Sequence, residues 1–330
     1  MNAGTRAPVG KQGDQSATQC STRTALGTFV TVSCRVSRRA GSASLAAQAA
    51  ARQAIDQAFA AIAMVERHMS LYRPDSDVAR INRMPGTGAA QRLRVHACTW
   101  EVLQLAQSLQ RDSNGLFDCA IAPALMQWGL LPAPVTTARS LAMNTAASSV
   151  SKLCLHDDGT LSLLAPTVID LGGIAKGYAV DRAIDALLQA GAIEGSVNAG
   201  GDLRQFGGAP QLLQVRDPMQ PSLLHPAGWL RDGAMATSSI LYSRRGVDCA
   251  DRDHRAQRTV SAIVHPAGRQ PMLKRLSYSV IAPLCVHADA LTKVLALIDD
   301  EDKARALPCF VRHQAQPLIV QPQCLPEFVS

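Results

Sequence analysis

Apolar residues recur at helical spacing in several long stretches of this chain. The clearest pattern predicts a helix over residues 44–69, and further patterns predict helices over 99–111 and 286–298. In the second of these, Thr99 is the expected N-cap residue and Asn114-Gly115 the expected stop. The buried face predicted for the first helix consists of Ile55, Phe59, Ile62, Val65 and Met69.

Shorter stretches that alternate or carry β-branched residues predict strands. They cover residues 27–36, 212–215, 261–264 and 279–282, with a hairpin over 153–164. Two polar stretches predict no regular structure. Residues 1–24 are expected to be a disordered tail, and the charged residues 244–258 an exposed loop. Residues 25–330 are expected to form the folded domain.

The stretch from Thr167 to Phe206 combines both patterns with two glycine turns. A predicted strand at Val168-Ile169 leads through Asp170 and a Gly-Gly pair into an amphipathic helix, and a second strand ends at another Gly-Gly pair. Lys176 therefore lies where a strand ends and a helix begins, which is a favoured place to hold a phosphate. The alternative is that the glycines form only a turn and Asp170 only caps the helix.

Composition narrows the class of protein. The chain has 330 residues, of which 47% are hydrophobic, enough for one large domain or two interlocked ones. The net charge of +7 fits a phosphate-bearing ligand, but no run of basic residues interleaved with aromatics predicts nucleic-acid binding. The nine cysteines lack CxxC pairs, which argues against a zinc-finger or disulfide framework.

No apolar run reaches 18 residues, so no membrane span and no stable membrane insertion are predicted. The N-terminus also lacks the apolar core of a signal peptide. These features predict a cytoplasmic protein, and an export signal would be expected only if the assigned start were wrong.

Several sequence pieces, in this order along the chain, resemble the ApbE family of FAD:protein FMN transferases. Most of the specificity lies in DLGGIAKGYAVD at 170–181 followed by NAGGDL at 198–203. The other pieces are GTFV at 27–30, SLYRPDSDVARIN at 70–82, FDCAIAPALMQWG at 117–129, ATSS at 236–239, HPAG at 265–268 and ADALTKVLALI at 288–298.

The resemblance implies an α+β fold in which mixed or antiparallel sheets pack against helices. It also implies a Mg²⁺-dependent reaction that cleaves the pyrophosphate of FAD. In that reaction FMN is attached to a Thr or Ser hydroxyl of a client flavoprotein, and AMP is released. Carried over by position, the residues expected along FAD are Leu26, Tyr72, Asp118, Cys119, Ala120, Asp170 and Lys176. The metal ligands would be the Gly173 carbonyl and the Asp289 carboxylate, since Mg²⁺ prefers oxygen ligands.

The chain departs from the family pattern at two chemically important positions. Four residues after Asp289 the family usually has a metal-binding Thr, and this chain has Lys293. Thr292 points about 100° away around the helix and is not expected to replace it. The Lys293 ammonium is expected to pair with Asp289, replacing part of the metal's charge or excluding the metal.

The second departure concerns the family's His-x-x-Asp-Pro pattern. Here Ala262 stands at the histidine position and His265 at the aspartate position, so His265 is the candidate general base, from a shifted position. The neighbouring motif ends in Ser239 in place of the family's glycine. Two further functions therefore stay open beside FMN transfer: FAD binding without transfer, and FAD hydrolysis without a client. An NAD dehydrogenase is disfavoured because the chain has no GxGxxG motif.

Overall fold

The structure is a computed structural model of the chain. It describes residues 18–37, 44–86, 88–132, 149–241, 243–250, 255–299, 303–322 and 327–328. Within these residues, no helix is both long enough and apolar enough to cross a membrane.

The helices of the described residues agree with the predicted ones at most of their bounds. They are α1 (Ser44–Met69), α2 (Asp77–Ile81), α3 (Ala97–Asp112), α4 (Ala122–Gln127), α5 (Ala175–Gln189), α6 (Cys285–Leu297) and α7 (Lys303–Arg312). All five residues predicted for the buried face of α1 are buried. Each such side chain contributes about 1.5–3 kcal/mol when it leaves water, so α1 is held mainly by this face.

The strands of the described residues are mostly short. They are β1 (Thr18–Ala25), β2 (Thr28–Val36), β3 (Gly88–Arg94), β4 (Leu153–Leu155), β5 (Thr160–Leu163), β6 (Ala192–Ala199), β7 (Asp202–Phe206), β8 (Gln211–Arg216), β9 (Leu224–Leu230), β10 (Gly233–Ser239), β11 (Arg245–Ala250), β12 (Arg255–Val260), β13 (Val264–His265), β14 (Gln270–Pro271), β15 (Ser277–Ala282), β16 (Gln316–Val320) and β17 (Glu327–Phe328).

One sheet organises the fold. Its strand order is β1-β2-β6-β7-β10-β15-β16-β17, and its neighbouring strands pair antiparallel. Helices α1, α5 and α6 pack together and against this sheet, and they share its main hydrophobic core. This arrangement confirms the predicted α+β class.

Helices α5 and α6 cap each other's N-termini, and this reciprocal contact positions the functional site. Asp289 of α6 accepts a hydrogen bond from the backbone N–H of Gly177 in the first turn of α5, at 3.0 Å. Asp181 of α5 accepts from the N–H groups of Cys285 and Val286, which begin α6, at 2.9 Å each. The two carboxylates satisfy N–H groups that a helix start leaves without an internal partner.

Gly177 allows this close approach of the two helices. A Cβ atom at Gly177 would lie 2.3 Å from the carbonyl oxygen of Cys285 and 2.8 Å from the Cβ of Asp289. Any larger residue would therefore push the two helices apart.

Three sequence predictions were wrong at particular elements. The predicted tail over 1–24 contains β1 from Thr18 onward, and residues 1–17 lie outside the described residues. The predicted loop over 244–258 contains the paired strands β11 and β12. The strand predicted over 261–264 is reduced to β13, which begins at Val264. The helix predicted over 286–298 is confirmed as α6, within one residue at each end, and α7 was not predicted.

Two local predictions were also wrong in detail. Helix α3 begins two residues before Thr99, with the His96 ring as its N-cap, and the Thr99 hydroxyl donates instead to Asp77 at 2.9 Å. Val168 and Ile169 form no ladder with another strand. The side-chain amide of Asn82 bonds both backbone groups of Ile169, at 2.8 and 2.9 Å, and so takes the place of a neighbouring strand.

Candidate functional site

A cleft of about 990 Å³ opens where the two glycine turns meet. Its walls come from the start of β2, the β6–β7 turn, the end of β10, the first turn of α5 and one face of α6. Asp118, Cys119, Asp170, Gly173, Lys176 and Lys293 all line this cleft. Six of the residues predicted for the site are therefore together in one cavity.

The segment around Asp118 is held by several hydrogen bonds. One oxygen of the Asp118 carboxylate, Oδ1, accepts from the N–H groups of Ala120 at 2.8 Å and Val150 at 2.9 Å. The Arg269 guanidinium donates to the carbonyl of Ala120 at 2.8 Å. Ala120 itself is fully buried, so it shapes the cleft wall from behind.

Asp170 is fixed to the same segment. Its N–H donates to the carbonyl of Cys119 at 2.8 Å, and its carboxylate accepts from the N–H of Gly172 at 3.0 Å. Burial raises the pKa of Asp170, against the opposing effects of the Gly172 N–H and of Lys293. The Cys119 thiol is buried beside these carboxylates, and burial raises its pKa well above the ordinary value. Cys119 therefore stays a neutral thiol in the cleft wall.

Four charged side chains form the floor of the cleft, and we call them the charge quartet: Lys176, Asp202, Asp289 and Lys293. Lys176 is ion-paired with Asp202, and Lys293 with Asp289. The Lys176 Nζ also lies 3.8 Å from Oδ1 of Asp289. The carboxylates have side-chain exposures of 3% and 0%, whereas the lysines retain 34% and 21%. The quartet therefore presents its positive ends to the cleft.

The charges of the quartet shift the pKa values of Asp289, Lys176 and Asp202. Burial raises the pKa of Asp289, but the Lys176 and Lys293 ammoniums outweigh it, so the pKa is lowered. Burial lowers the pKa of Lys176, and the Asp202 and Asp289 carboxylates reverse this shift and raise it. Burial and the Asp289 carboxylate raise the pKa of Asp202, while Lys176 acts in the opposite direction. Lys176 and Asp289 are both charged at neutral pH.

Both carboxylate oxygens of Asp289, the side chain expected to bind Mg²⁺, already have partners. Oδ1 of Asp289 is paired with Lys293, and Oδ2 accepts from Gly177. The Asp289 carbonyl accepts from Lys293 at 2.9 Å and from the Thr292 hydroxyl at 2.6 Å. Within the described residues no group of three or more His, Cys, Asp and Glu side chains could hold a metal ion. The residues present do not fit a divalent cation while Lys293 stays in place.

Thr292 is buried against β10 and is not among the residues that line the cleft. Its hydroxyl is fully buried and bonds Ser238 of β10 at 2.7 Å. The stem of Lys293 lies instead beside Gly173, with its Cε 3.7 Å from where a Gly173 Cβ would be. The Lys293 side chain therefore lies beside both predicted ligand residues, with its stem near Gly173 and its ammonium on Asp289.

Five predicted site residues are not in the cleft lining: Ala120 and Asp289, which are fully buried, and Leu26, Tyr72 and His265. Tyr72 is 73% exposed in the loop before α2. Leu26 has a positive φ of 54° in the β1–β2 turn and packs against the main core. His265 is in β13, and the neighbouring cleft wall is formed by Ala262 to Val264. Their proposed roles stay predictions.

Asp202 is a residue that sequence reasoning missed as a site residue. It is buried, begins β7 and pairs with Lys176, which is 26 positions away in the chain. The signal was present in the NAGGDL motif, where an acid follows two glycines. The glycines have φ values of 63° and 107° and let β6 turn directly into β7, which places Asp202 under the cleft.

The fold and the site define a class of protein. An antiparallel sheet with a cleft at one face, a helix N-terminus beside it and two lysines exposed in its floor is suited to a ligand with a phosphoanhydride group. The model of the ApbE family matches residues 26–312, well over half of the chain. The chain therefore belongs to the ApbE family.

Curated relatives and solved structures agree with this assignment. The chain is 28% identical over 258 residues to a FAD:protein FMN transferase of Haemophilus influenzae, covering 73% of this chain and 70% of that one. It is 27% identical over 252 residues to the protein of that name from Vibrio cholerae, covering 72% and 71%.

Two solved structures show the same fold. The ApbE protein from Thermotoga maritima has a TM-score of 0.76 at 23% identity, covering 95% of this chain and 97% of that one. The flavinyl transferase ApbE from Pseudomonas stutzeri has a TM-score of 0.74 at 22% identity, covering 96% and 95%. At these identities the likeness concerns the fold alone.

Proposed function

We propose that this protein is a FAD:protein FMN transferase. It cleaves the pyrophosphate of FAD, attaches FMN to a Thr or Ser hydroxyl of a client flavoprotein and releases AMP. The observation that carries the proposal is the cleft, where the motifs at 170–181 and 198–203 meet beside two partly exposed ammonium groups. Membership of the ApbE family and the names of the curated relatives support it.

The charges of the cleft suit transfer of a phosphoryl-linked group. Such a transfer needs the negative charge on the phosphate oxygens neutralised and the attacking and leaving oxygens held in line. Lys176 and Lys293 supply two positive charges at the floor, and the first turn of α5 adds its partial positive charge. FAD lies with its pyrophosphate over this floor and along Asp118, Cys119, Ala120 and Asp170.

Leu26 and Tyr72 are proposed to contact the outer parts of FAD. Tyr72 suits this role because its exposed ring is available to stack on a flat ring system.

The residue proposed as general base differs from the family's histidine. Ala262, where the family has histidine, lines the cleft and has no titratable group, and His265 stands outside the lining. His265 is the proposed base that accepts the proton of the client hydroxyl.

The Mg²⁺ requirement implied by the family, with Asp289 and Gly173 as ligands, remains a prediction. A metal bound there would neutralise phosphate charge. The Asp289 carboxylate is ion-paired with Lys293, however, so the metal has no role in the proposed reaction. The client flavoprotein and the cytoplasmic location likewise stay proposals.

Mass spectrometry of a client protein tests the function. The purified protein is incubated with FAD and a candidate flavoprotein subunit, and the products are analysed for an FMN adduct on Thr or Ser and for AMP. Adduct and AMP in equal amounts are expected. FAD binding without either product would indicate a binding protein, and AMP with free FMN but no adduct would indicate a hydrolase.

A further inference from the structure

The charge quartet is electrically complete without a metal ion. Its two carboxylates and two ammoniums sum to zero, and each carboxylate is paired with an ammonium. A divalent cation would add two positive charges within a few ångströms of two ammonium groups. Coulomb repulsion between the cation and the ammoniums at such short distances opposes binding, so binding would require Lys293 to leave.

The position of Lys293 is fixed rather than incidental. Its Nζ bonds two oxygens of one residue, the carboxylate and the carbonyl of Asp289, one helical turn earlier. The carboxylate is itself anchored by the N–H of Gly177. The ammonium is therefore held at the junction of α5 and α6, with part of its surface open to the cleft.

We propose that the Lys293 ammonium takes the role of a divalent cation in this protein, so that FAD is bound and cleaved without Mg²⁺. This inference rests on the proposed function. In the reaction the client hydroxyl oxygen bonds the phosphorus of the FMN half and the bridging P–O bond breaks. AMP leaves with the bonding electrons, and the hydroxyl proton passes to the base. Lys293 and Lys176 neutralise the charge that develops on the departing phosphate.

FAD binding measured by flavin fluorescence tests this directly, with excess chelator and with excess Mg²⁺. For the wild type the affinities are expected to agree within about twofold, which is a small difference in binding free energy. Lys293→Thr removes the ammonium and frees the Asp289 carboxylate. Its affinity in chelator is expected to fall about tenfold, the loss of one charge-assisted contact, and Mg²⁺ is expected to restore it.

Lys274→Thr is the matched control, because Lys274 is exposed outside the cleft. It is expected to bind FAD like the wild type. Calorimetric titration with MgCl₂ alone gives a second readout, with no saturable binding expected for the wild type. Circular dichroism checks that Lys293→Thr is folded.

Two results would overturn the inference and leave the proposed function standing. One is wild-type FAD binding that depends on Mg²⁺, and the other is unchanged affinity of folded Lys293→Thr in chelator. If no variant bound FAD under either condition, the proposed function would fail and this inference with it.

Discussion

Asp181 and Asp289 are two buried carboxylates with the same task and different surroundings. Each lies on one of the paired helices α5 and α6, and each accepts backbone N–H groups from the start of the other helix. Asp181 pairs with the Arg204 guanidinium at 2.8 Å, away from the cleft lining. Asp289 pairs with two lysines whose ammoniums line the cleft.

Both aspartates cap the N-terminus of a helix. Asp181 makes a structural contact, whereas Asp289 is part of the proposed binding site. At Asp181 both carboxylate oxygens are bonded to N–H groups and the cation is a planar, rigid guanidinium. At Asp289 the cations are compact lysine ammoniums, and both lysine side chains keep exposed surface for a ligand. The mutations below test that difference.

Asp181→Ala is expected to have the largest effect on stability. This substitution leaves the Arg204 guanidinium and two N–H groups at the start of α6 without their carboxylate partner. Breaking a buried ion pair lowers the free energy of unfolding by about 3–5 kcal/mol. Chemical denaturation followed by circular dichroism measures the loss. Asp185→Ala on the same helix removes a partly exposed i,i+3 pair with Arg182 and is expected to cost less than about 1 kcal/mol. Equal losses in the two variants would contradict the structural role of Asp181.

Gly177→Ala is expected to loosen both caps at once. The added methyl group would meet the Cys285 carbonyl at 2.3 Å, and overpacking of this kind costs about 1–3 kcal/mol. Thermal unfolding measures it. Gly173→Ala is the control for stability, since its methyl group would lie at 3.7 Å or more from its neighbours. A Gly177→Ala protein as stable as the wild type would mean that the helices are less tightly apposed than described.

Lys176→Met and Arg204→Met test whether the surroundings of Asp289 and of Asp181 differ in function. Lys176→Met removes the cation that is paired with Asp202 and lies near Asp289, and Arg204→Met removes the cation paired with Asp181, so both are expected to lose stability. Only Lys176→Met is expected to lower FAD affinity, by about 10- to 100-fold, because one charge-assisted contact contributes about 1.5–3 kcal/mol. Flavin fluorescence titration on folded protein measures the affinity. Equal effects of the two variants on FAD binding would remove the distinction between the two sites.

The smallest expected effect on stability involves neither Asp181 nor Asp289, but His287 on α6. Burial, followed by the nearby His313 ring, lowers the pKa of His287 to about 4. His313 also lies 3.3 Å from Asp112, which Arg312 approaches equally closely. The unfolded chain takes up a proton near pH 6.5 and the folded chain does not. The stability that depends on neutral His287 is therefore complete above pH 6.5 and lost as the pH falls towards 4.

Denaturation curves between pH 7 and pH 4 measure this loss, expected to be about 1–2 kcal/mol after allowing for partial exposure. His287→Gln is expected to flatten that pH dependence and to leave FAD affinity unchanged. An equally steep curve in the variant would assign the effect to other groups.

Local patterns predicted the elements and contacts that depend on nearby residues. The bounds of α1 follow from a sustained apolar face, and the Asp289–Lys293 pair follows from i,i+4 spacing. Contacts between distant segments were harder. The partner of Lys176 is Asp202 and the partner of Ile169 is the Asn82 amide, and neither has a periodic signal.

The missed elements have physical reasons. β1 is an edge strand whose side chains are mostly exposed, so its sequence resembles a polar tail. The β11–β12 pair is a separate two-stranded sheet with a highly charged sequence. Helix α7 contains Pro308, which normally argues against a helix interior.

A crystal structure of the FAD complex grown with Mn²⁺ tests the central claim most directly, because Mn²⁺ takes the place of Mg²⁺ and is located by anomalous scattering. The account predicts FAD in the cleft with its pyrophosphate oxygens within hydrogen-bond distance of Lys176 and Lys293, and no manganese at Asp289. Manganese bound to Asp289 with Lys293 displaced, or FAD bound elsewhere on the molecule, would contradict it.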